Sequence, residues 1–367
     1  MVLGYYVVIC ILSLVCCTVF YWKMRPNFSV QYALIFVLAF AAQFGYLAIA
    51  LSENAREALL ANKVLYVGGC YLQMVGFLLI LSICRIRIPK WVKFILILFS
   101  TFIYFSVLTA GYLPIFYKSV DIEFVNGVAV LVKEYGPLHT LFYVEIILYL
   151  GATIFAVIWG WIKKPDVSKR NLAICAFMQI FSIFAFFIGR SITKDIEWMA
   201  LADLVDEIGF LLIMDRIVLY RVDTLVSSSI IKEGEVGYIS LDLKYRYLGA
   251  TEVAIRFLPE IGKNHADKEI ENEELRENFT RWIDQFKQEK VSKKHIYRRD
   301  DCIYSVHVGE LYDGKRMRGY LLEIIDDTVH QQHLEGIERY NKNLNEELKV
   351  KTELIRQLSK SKHGPES

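Results

Sequence analysis

The chain has 367 residues, 54% of them hydrophobic and 22% charged, with a formal net charge of +2 and a mean hydropathy of +0.34. Of its 42 Lys and Arg and its 40 Asp and Glu, only 17 and 13 fall in residues 1–220, so the remaining two-fifths of the chain carries most of the charge. That split excludes a uniformly soluble protein and one embedded in a bilayer throughout, and the near-neutral total gives no basic surface for a nucleic-acid partner.

Residues 1–22 are apolar with no basic residue ahead of the run, and Lys23 and Arg25 follow it. A secretory signal has the reverse order, so the segment reads as a retained first helix. About 20 apolar residues in helix cross a hydrocarbon core of about 30 Å. Seven windows meet that length, at 2–22, 30–51, 64–84, 91–110, 138–162, 171–190 and 199–220. The loops after spans one, three and five hold ten Lys and Arg against Asp166 alone, whereas the other three hold six against seven acids. The positive-inside bias therefore predicts a membrane bundle with its N-terminus outside and its C-terminal half in the cytoplasm. Six of the seven cysteines lie in or beside apolar runs and no Cys-x-x-Cys occurs, which supports neither a disulfide framework nor a zinc site.

Between spans four and five, Val120-Asp121-Ile122-Glu123-Phe124 alternates, Asn126-Gly127 follows, and a β-branched run resumes at Val128. Asn-Gly between such runs predicts a hairpin, because both turn residues must take positive φ. Gly136-Pro137 then breaks the chain before span five.

Ionisable side chains inside a bilayer face the protein interior or water. Glu145 sits about two turns into span five, and Asp203, Asp206 and Glu207 share one face of span seven at three- and four-residue spacing. Arg190 at the end of span six is the nearest cation in sequence, and Gln43, Gln73, Tyr71, Tyr143 and Gln179 could complete a polar outer cavity. Two readings stay open: an outer-side pocket for an unknown small ligand, which the acids would make cationic or hydrogen-bonding, or an interhelical network that holds the bundle. A transporter would show internal repeats or Pro-broken helices, and no span carries a central proline.

Past residue 220 the Ser227-Ser228-Ser229 run marks a linker over 221–235. Strands are predicted at 236–241 and 244–248, charged helices within 251–290, and three further strands at 295–299, 302–311 and 319–325, the last two joined by Asp313-Gly314. This is a compact α+β domain over 236–328. Its opening, Tyr238-Ile239-Ser240-Leu241-Asp242 and then Tyr247-Leu248-Gly249-Ala250-Thr251, resembles that of a PAS domain, where a strand pair leads into a short helix. Its end, Glu323-Ile324-Ile325-Asp326-Asp327-Thr328, resembles the Asp-x-Thr junction that couples PAS domains to a signalling helix, which implies a relay role for Asp326 and Thr328, one of them as helix N-cap. No residues mark a haem, flavin or other cofactor site, and His330 and His333 find no further metal-ligating residue at suitable spacing.

The membrane half resembles the seven-transmembrane N-terminal input region of bacterial sensor histidine kinases. The resemblance rests on the seven spans, the hairpin ending in Gly136-Pro137, and the exit Arg216-Ile217-Val218-Leu219-Tyr220-Arg221-Val222-Asp223. Regions of this kind are typically followed by PAS domains.

Residues 329–360 carry a 3–4 repeat of Leu334, Ile337, Asn341, Leu344, Leu348, Lys351, Ile355 and Leu358, ahead of a short tail at 361–367. Apolar seam positions with Asn341 at an a position predict a parallel homodimeric coiled coil. Neither a Ser-His-Glu phosphoacceptor box, nor a Gly-Gly-Asp-Glu-Phe cyclase signature, nor a Gly-rich phosphate loop occurs. The residues thus assign no catalytic, cofactor or metal site. The expected function is a membrane sensor relaying an outer signal through a PAS-like domain to a dimeric coiled coil and a separate kinase or cyclic-di-GMP output protein. The alternatives are the truncated input half of a sensor kinase or cyclic-di-GMP enzyme, and a transporter or structural membrane protein.

Overall fold

A computed structural model of the chain describes residues 2–24, 30–165, 167–192, 196–220, 236–313 and 316–362. The predicted linker 221–235 and the end of the tail lie outside them, as do the side chains of Arg190, Arg216 and Leu358. The chain forms two compact units, one of Met1–Leu225 with Lys263–Glu269 and one of Val226–Gly262 with Ile270–Ser367.

In the first unit, apolar runs form α1 (Val2–Lys23), α2 (Val30–Ala50), α3 (Ala55–Ile83), α4 (Lys90–Leu108), α5 (His139–Lys163) and α6 (Lys169–Phe187), with a short α7 (Gly189–Ile192) before α8 (Trp198–Tyr220). Six helices among the described residues, α1 to α6, are long and apolar enough to cross a membrane, not the seven expected. The difference is α8: its length suffices, but Asp203, Asp206 and Glu207 sit within one turn of each other and raise its charge above that of a plain span. It is nonetheless packed into the bundle, with Ala200, Ala202, Ile213 and Met214 at most 1% exposed.

Helix α3 starts nine residues ahead of the predicted window. Asn54 caps it by accepting from the Glu57 N–H at 3.0 Å, while the Glu57 carboxylate accepts from the Glu53 N–H at 3.0 Å and from the Asn54 amide at 2.8 Å. This capping box holds a first turn that hydropathy alone discards because it carries Arg56 and Glu57. Along α2 and α3 the two backbones come close at glycines: a Cβ on Gly45 would stand 2.6 Å from the Leu65 backbone, and one on Gly68 2.6 Å from the Ala42 Cβ. Small residues at such points let helices in a bilayer gain van der Waals contact.

The predicted hairpin forms as β1 (Tyr117–Val125) and β2 (Val128–Tyr135). Val125 pairs with Val128, and between them Asn126 and Gly127 take φ of 51° and 78°, both in the left-handed region a tight two-residue turn demands.

The second unit is an antiparallel sheet in the order β4-β3-β7-β6-β5, built from β3 (Val236–Asp242), β4 (Tyr247–Ala250), β5 (His295–Arg299), β6 (Cys302–Asp313) and β7 (Arg316–Asp326). The second strand begins three residues later than predicted. Asp242 Oδ1 accepts from the Lys244 and Arg246 N–H groups at 2.8 Å each, and Tyr245 turns to φ 62°, so 243–246 is the turn. Two helices, α9 (Glu252–Phe257) and α10 (Glu273–Glu289), follow β4. On α10, Leu275, Phe279, Trp282 and Ile283 recur at helical spacing and are buried in one core with alternate residues of the sheet, Val306 and Val308 of β6 and Tyr320, Leu322 and Ile324 of β7. Helix α11 (Thr328–Lys362) leaves the sheet and covers the predicted coiled-coil segment.

Candidate functional site

The hairpin folds over one end of the helical bundle and roofs a cavity of about 840 Å³. Its walls come from α1, α2, α3, α5, α6 and α8, and its roof from β2. The size lies within the range of small-molecule sites, about 300–1,000 Å³.

A chain of polar contacts runs from the roof into the wall. Lys133 Nζ on β2 donates to Asn62 Oδ1 at 3.1 Å, Asn62 Nδ2 donates to the Tyr117 hydroxyl at 3.4 Å, and Tyr117 donates to the Tyr66 hydroxyl at 3.0 Å. Tyr66 in turn meets His139 Nε2 at 3.4 Å. Burial pushes the Tyr117 hydroxyl well above its usual range, so it remains a donor. Around this chain the His139 ring stacks on Tyr135 with centroids 4.0 Å apart and meets Tyr143 edge-on at 4.7 Å. Gly136-Pro137 makes the join possible: the Gly136 N–H donates to the Phe116 carbonyl at 2.8 Å, turning the chain from β2 into the start of α5.

Among the acids picked from sequence, Asp203 lines the cavity and is 5% exposed. No hydrogen bond or ion pair to it occurs among the described residues. Glu145 is held elsewhere, accepting from Ser100 Oγ on α4 at 2.5 Å. Glu207 accepts from Ser13 Oγ on α1 at 2.8 Å. Asp206 is buried next to Glu207 on the same helix, its Oδ1 without a partner among the described residues. The four acids therefore do not share one pocket. Of the polar companions, Gln73 and Tyr143 line the cavity. Gln43 instead donates to the Ala200 carbonyl at 2.7 Å, and Tyr71 donates to Thr101 at 3.1 Å. Lys133, Tyr135, His139 and Glu197 also line the cavity and were not singled out in sequence. Their signal is faint because Lys133 and Tyr135 lie on the hairpin while His139 and Glu197 sit at or beside the starts of α5 and α8, and only the tertiary fold brings them together.

The start of α8 is gripped by α1. Tyr5 donates its hydroxyl to the Glu197 carbonyl at 3.0 Å, and the Glu197 N–H donates to the Tyr6 hydroxyl at 3.1 Å. Among the described residues no three His, Cys, Asp or Glu side chains group as a metal site.

In the sheet unit, Asp326 Oδ1 accepts from the Thr328 N–H at 3.0 Å and from its hydroxyl at 2.6 Å. Thr328 Oγ1 accepts from the Ile303 N–H at 2.9 Å, which ties the start of α11 to β6. Asp327 supplies the first helical acceptor, its carbonyl receiving the Gln331 N–H at 2.9 Å. Along α11, Leu334, Ile337, Asn341, Leu344, Leu348 and Ile355 are all exposed in the single chain.

No curated protein matches the chain. Residues 5–203, more than half of it, match the family described as the N-terminal 7TM region of histidine kinase. With six apolar helices of spanning length among the described residues, the chain is a multi-pass membrane protein and belongs to that histidine kinase input-region family.

Proposed function

We propose that the chain is a signal sensor of the bacterial inner membrane that takes its stimulus in the cavity under the hairpin, on the outer side, and passes it to the cytoplasmic sheet domain. One observation carries this reading: a single helix, α8, sets Asp203 in the cavity wall and continues to Tyr220. A ligand that favours one setting of α8 shifts the population of that setting along the whole helix. The orientation is supported by the ten basic residues in the loops after α1, α3 and α5 and in the helix ends that flank them.

The PAS-like reading of 236–328 is supported by the strand pair β3–β4 leading into α9 and by the Asp326–Thr328 contacts at the start of α11. The parallel dimer is supported by the exposed apolar seam of α11, since Leu344 and Leu348 would be buried only against a partner. In this reading these residues relay rather than catalyse. The output is a kinase or cyclic-di-GMP activity, in a separate protein or further along the same polypeptide.

Cysteine substitution tests the scheme in intact cells. An impermeant maleimide is expected to label Glu123→Cys on β1 from outside and to reach Leu344→Cys only after permeabilisation. Leu344→Cys is also expected to form a disulfide-linked dimer that the parent chain does not form. Labelling with the opposite sidedness refutes the orientation, and no crosslinked dimer under any oxidising condition refutes the coiled coil.

A further inference from the structure

We infer that the cavity takes a ligand with an organic ammonium head and an apolar body, the cation seated against Asp203 and the body among the aromatic rings. This deepens, and rests on, the proposal that the cavity receives the signal.

Asp203 is 95% removed from solvent as part of the cavity wall, without a hydrogen-bond or ion-pair partner among the described residues. A buried acid in that state is costly unless something pairs with it. Among the described residues no side chain supplies the pair. Lys133, the one lysine or arginine among the described residues of the lining, is engaged in the roof with Asn62 Oδ1 at 3.1 Å and lies 5.6 Å over the Tyr117 ring. Glu197 also belongs to the lining. An anionic ligand would set its charge against Asp203, and a neutral apolar one would leave it unpaired.

The walls fit the rest of the molecule. Tyr46, Tyr66, Phe142, Tyr143 and Phe186 line the same space. Ring faces attract an ammonium group within about 6 Å and bury an apolar body equally well. A bare metal ion fits poorly, since no grouping of metal-ligating side chains surrounds Asp203 among the described residues.

Three probes of one shape and different charge test the assignment: phenethylamine, 2-phenylethanol and phenylacetate. Each is titrated by calorimetry into the full chain in phosphatidylcholine nanodiscs, with protein-free discs as blank. Phenethylamine is expected to bind roughly 10- to 100-fold tighter than 2-phenylethanol, the worth of a charge-assisted hydrogen bond, with phenylacetate weakest. Asp203→Asn is expected to bring phenethylamine down to the affinity of 2-phenylethanol and to leave 2-phenylethanol unchanged. Asp203→Glu, which keeps the charge, is expected to keep the preference, and it serves if the Asn variant does not fold. Equal or tighter binding of either other probe, or undiminished amine binding by Asp203→Asn, overturns the ammonium assignment while leaving the cavity a ligand site. Binding by none of the three overturns the assignment and the cavity's sensing role together.

Discussion

Ser13→Ala removes one hydroxyl and is expected to destabilise the bundle by about 1–2 kcal/mol. Ser13 and Glu207 are both fully buried, the bond between them is 2.8 Å, and the other Glu207 oxygen has no partner. Interhelical hydrogen bonds in bilayers average only about 0.6 kcal/mol, because the unfolded chain in the membrane also finds partners. Two features raise the figure here. The substitution leaves a fully buried acid with neither oxygen bonded, and an orphaned buried group costs about 1–3 kcal/mol. Losing one oxygen atom also opens too little space for neighbours to collapse and compensate. The measurement is reversible unfolding of the full chain in mixed micelles, run as a double-mutant cycle with Glu207→Leu. Since the leucine removes the group that would be orphaned, Ser13→Ala is expected to cost little in its presence. A Ser13→Ala variant within about 0.3 kcal/mol of the parent, or strict additivity in the cycle, refutes the reasoning.

The close approach of α2 and α3 makes Gly45→Ala expected to cost about 1–3 kcal/mol, since the new methyl would meet the Leu65 backbone at 2.6 Å. Gly151→Ala, with nothing within 4 Å of its Cβ, is the control and is expected to be neutral or slightly stabilising when both variants are unfolded in the same mixed micelles. Acid is expected to loosen the start of α11. Arg298 holds the Glu335 carboxyl below its usual value through a 2.6 Å bond; burial works to raise Asp327, and its bonds from Lys294 and Gln331 overcome that. Both acids are more acidic folded than unfolded, so their contribution is complete above the ordinary carboxylate range and is lost as pH falls through the depressed folded values. Amide exchange over 328–340, corrected for intrinsic rate, is expected to show protection at about pH 5 that falls by about pH 3. Unchanged protection across that window refutes the attachment.

The parts of the fold that are local in origin were legible in the sequence. The hairpin is the clearest case, because Asn126 and Gly127 impose the turn by themselves and the flanking runs follow in register. The start of α3 was written there too, in Asn54 and Glu57, but a hydropathy window discards a charged first turn. The late start of β4 likewise follows from Asp242 drawing two backbone N–H groups onto one oxygen. The site is a harder case. Asp203 and Glu207, four residues apart on one helix, are indistinguishable by periodicity, yet one lines the cavity and the other bonds α1. Lys133 and His139 enter only because β2 returns over the bundle and runs into α5, a tertiary fact with no local signature.

The same contacts suggest why α8 carries the acids that keep it from counting as a simple span. A purely apolar helix would be held by area alone, about equally well in neighbouring settings in a bilayer. Its N-terminal end is instead held by a few directional bonds, from Tyr5 and Gln43 to the Glu197 and Ala200 carbonyls and from the Glu197 N–H to Tyr6. One turn beyond Asp203, Ser13 holds Glu207. Directional bonds make a small number of discrete settings rather than a continuum, which a switch requires. The 10- to 100-fold preference proposed for an ammonium ligand corresponds to about 1.4–2.7 kcal/mol. If that preference belongs to one setting of α8, it turns a 1:10 population into one between about 1:1 and 10:1. A change of that size matches the worth of one or two of the bonds that hold the helix, so a single charged contact at Asp203 is enough to reset it.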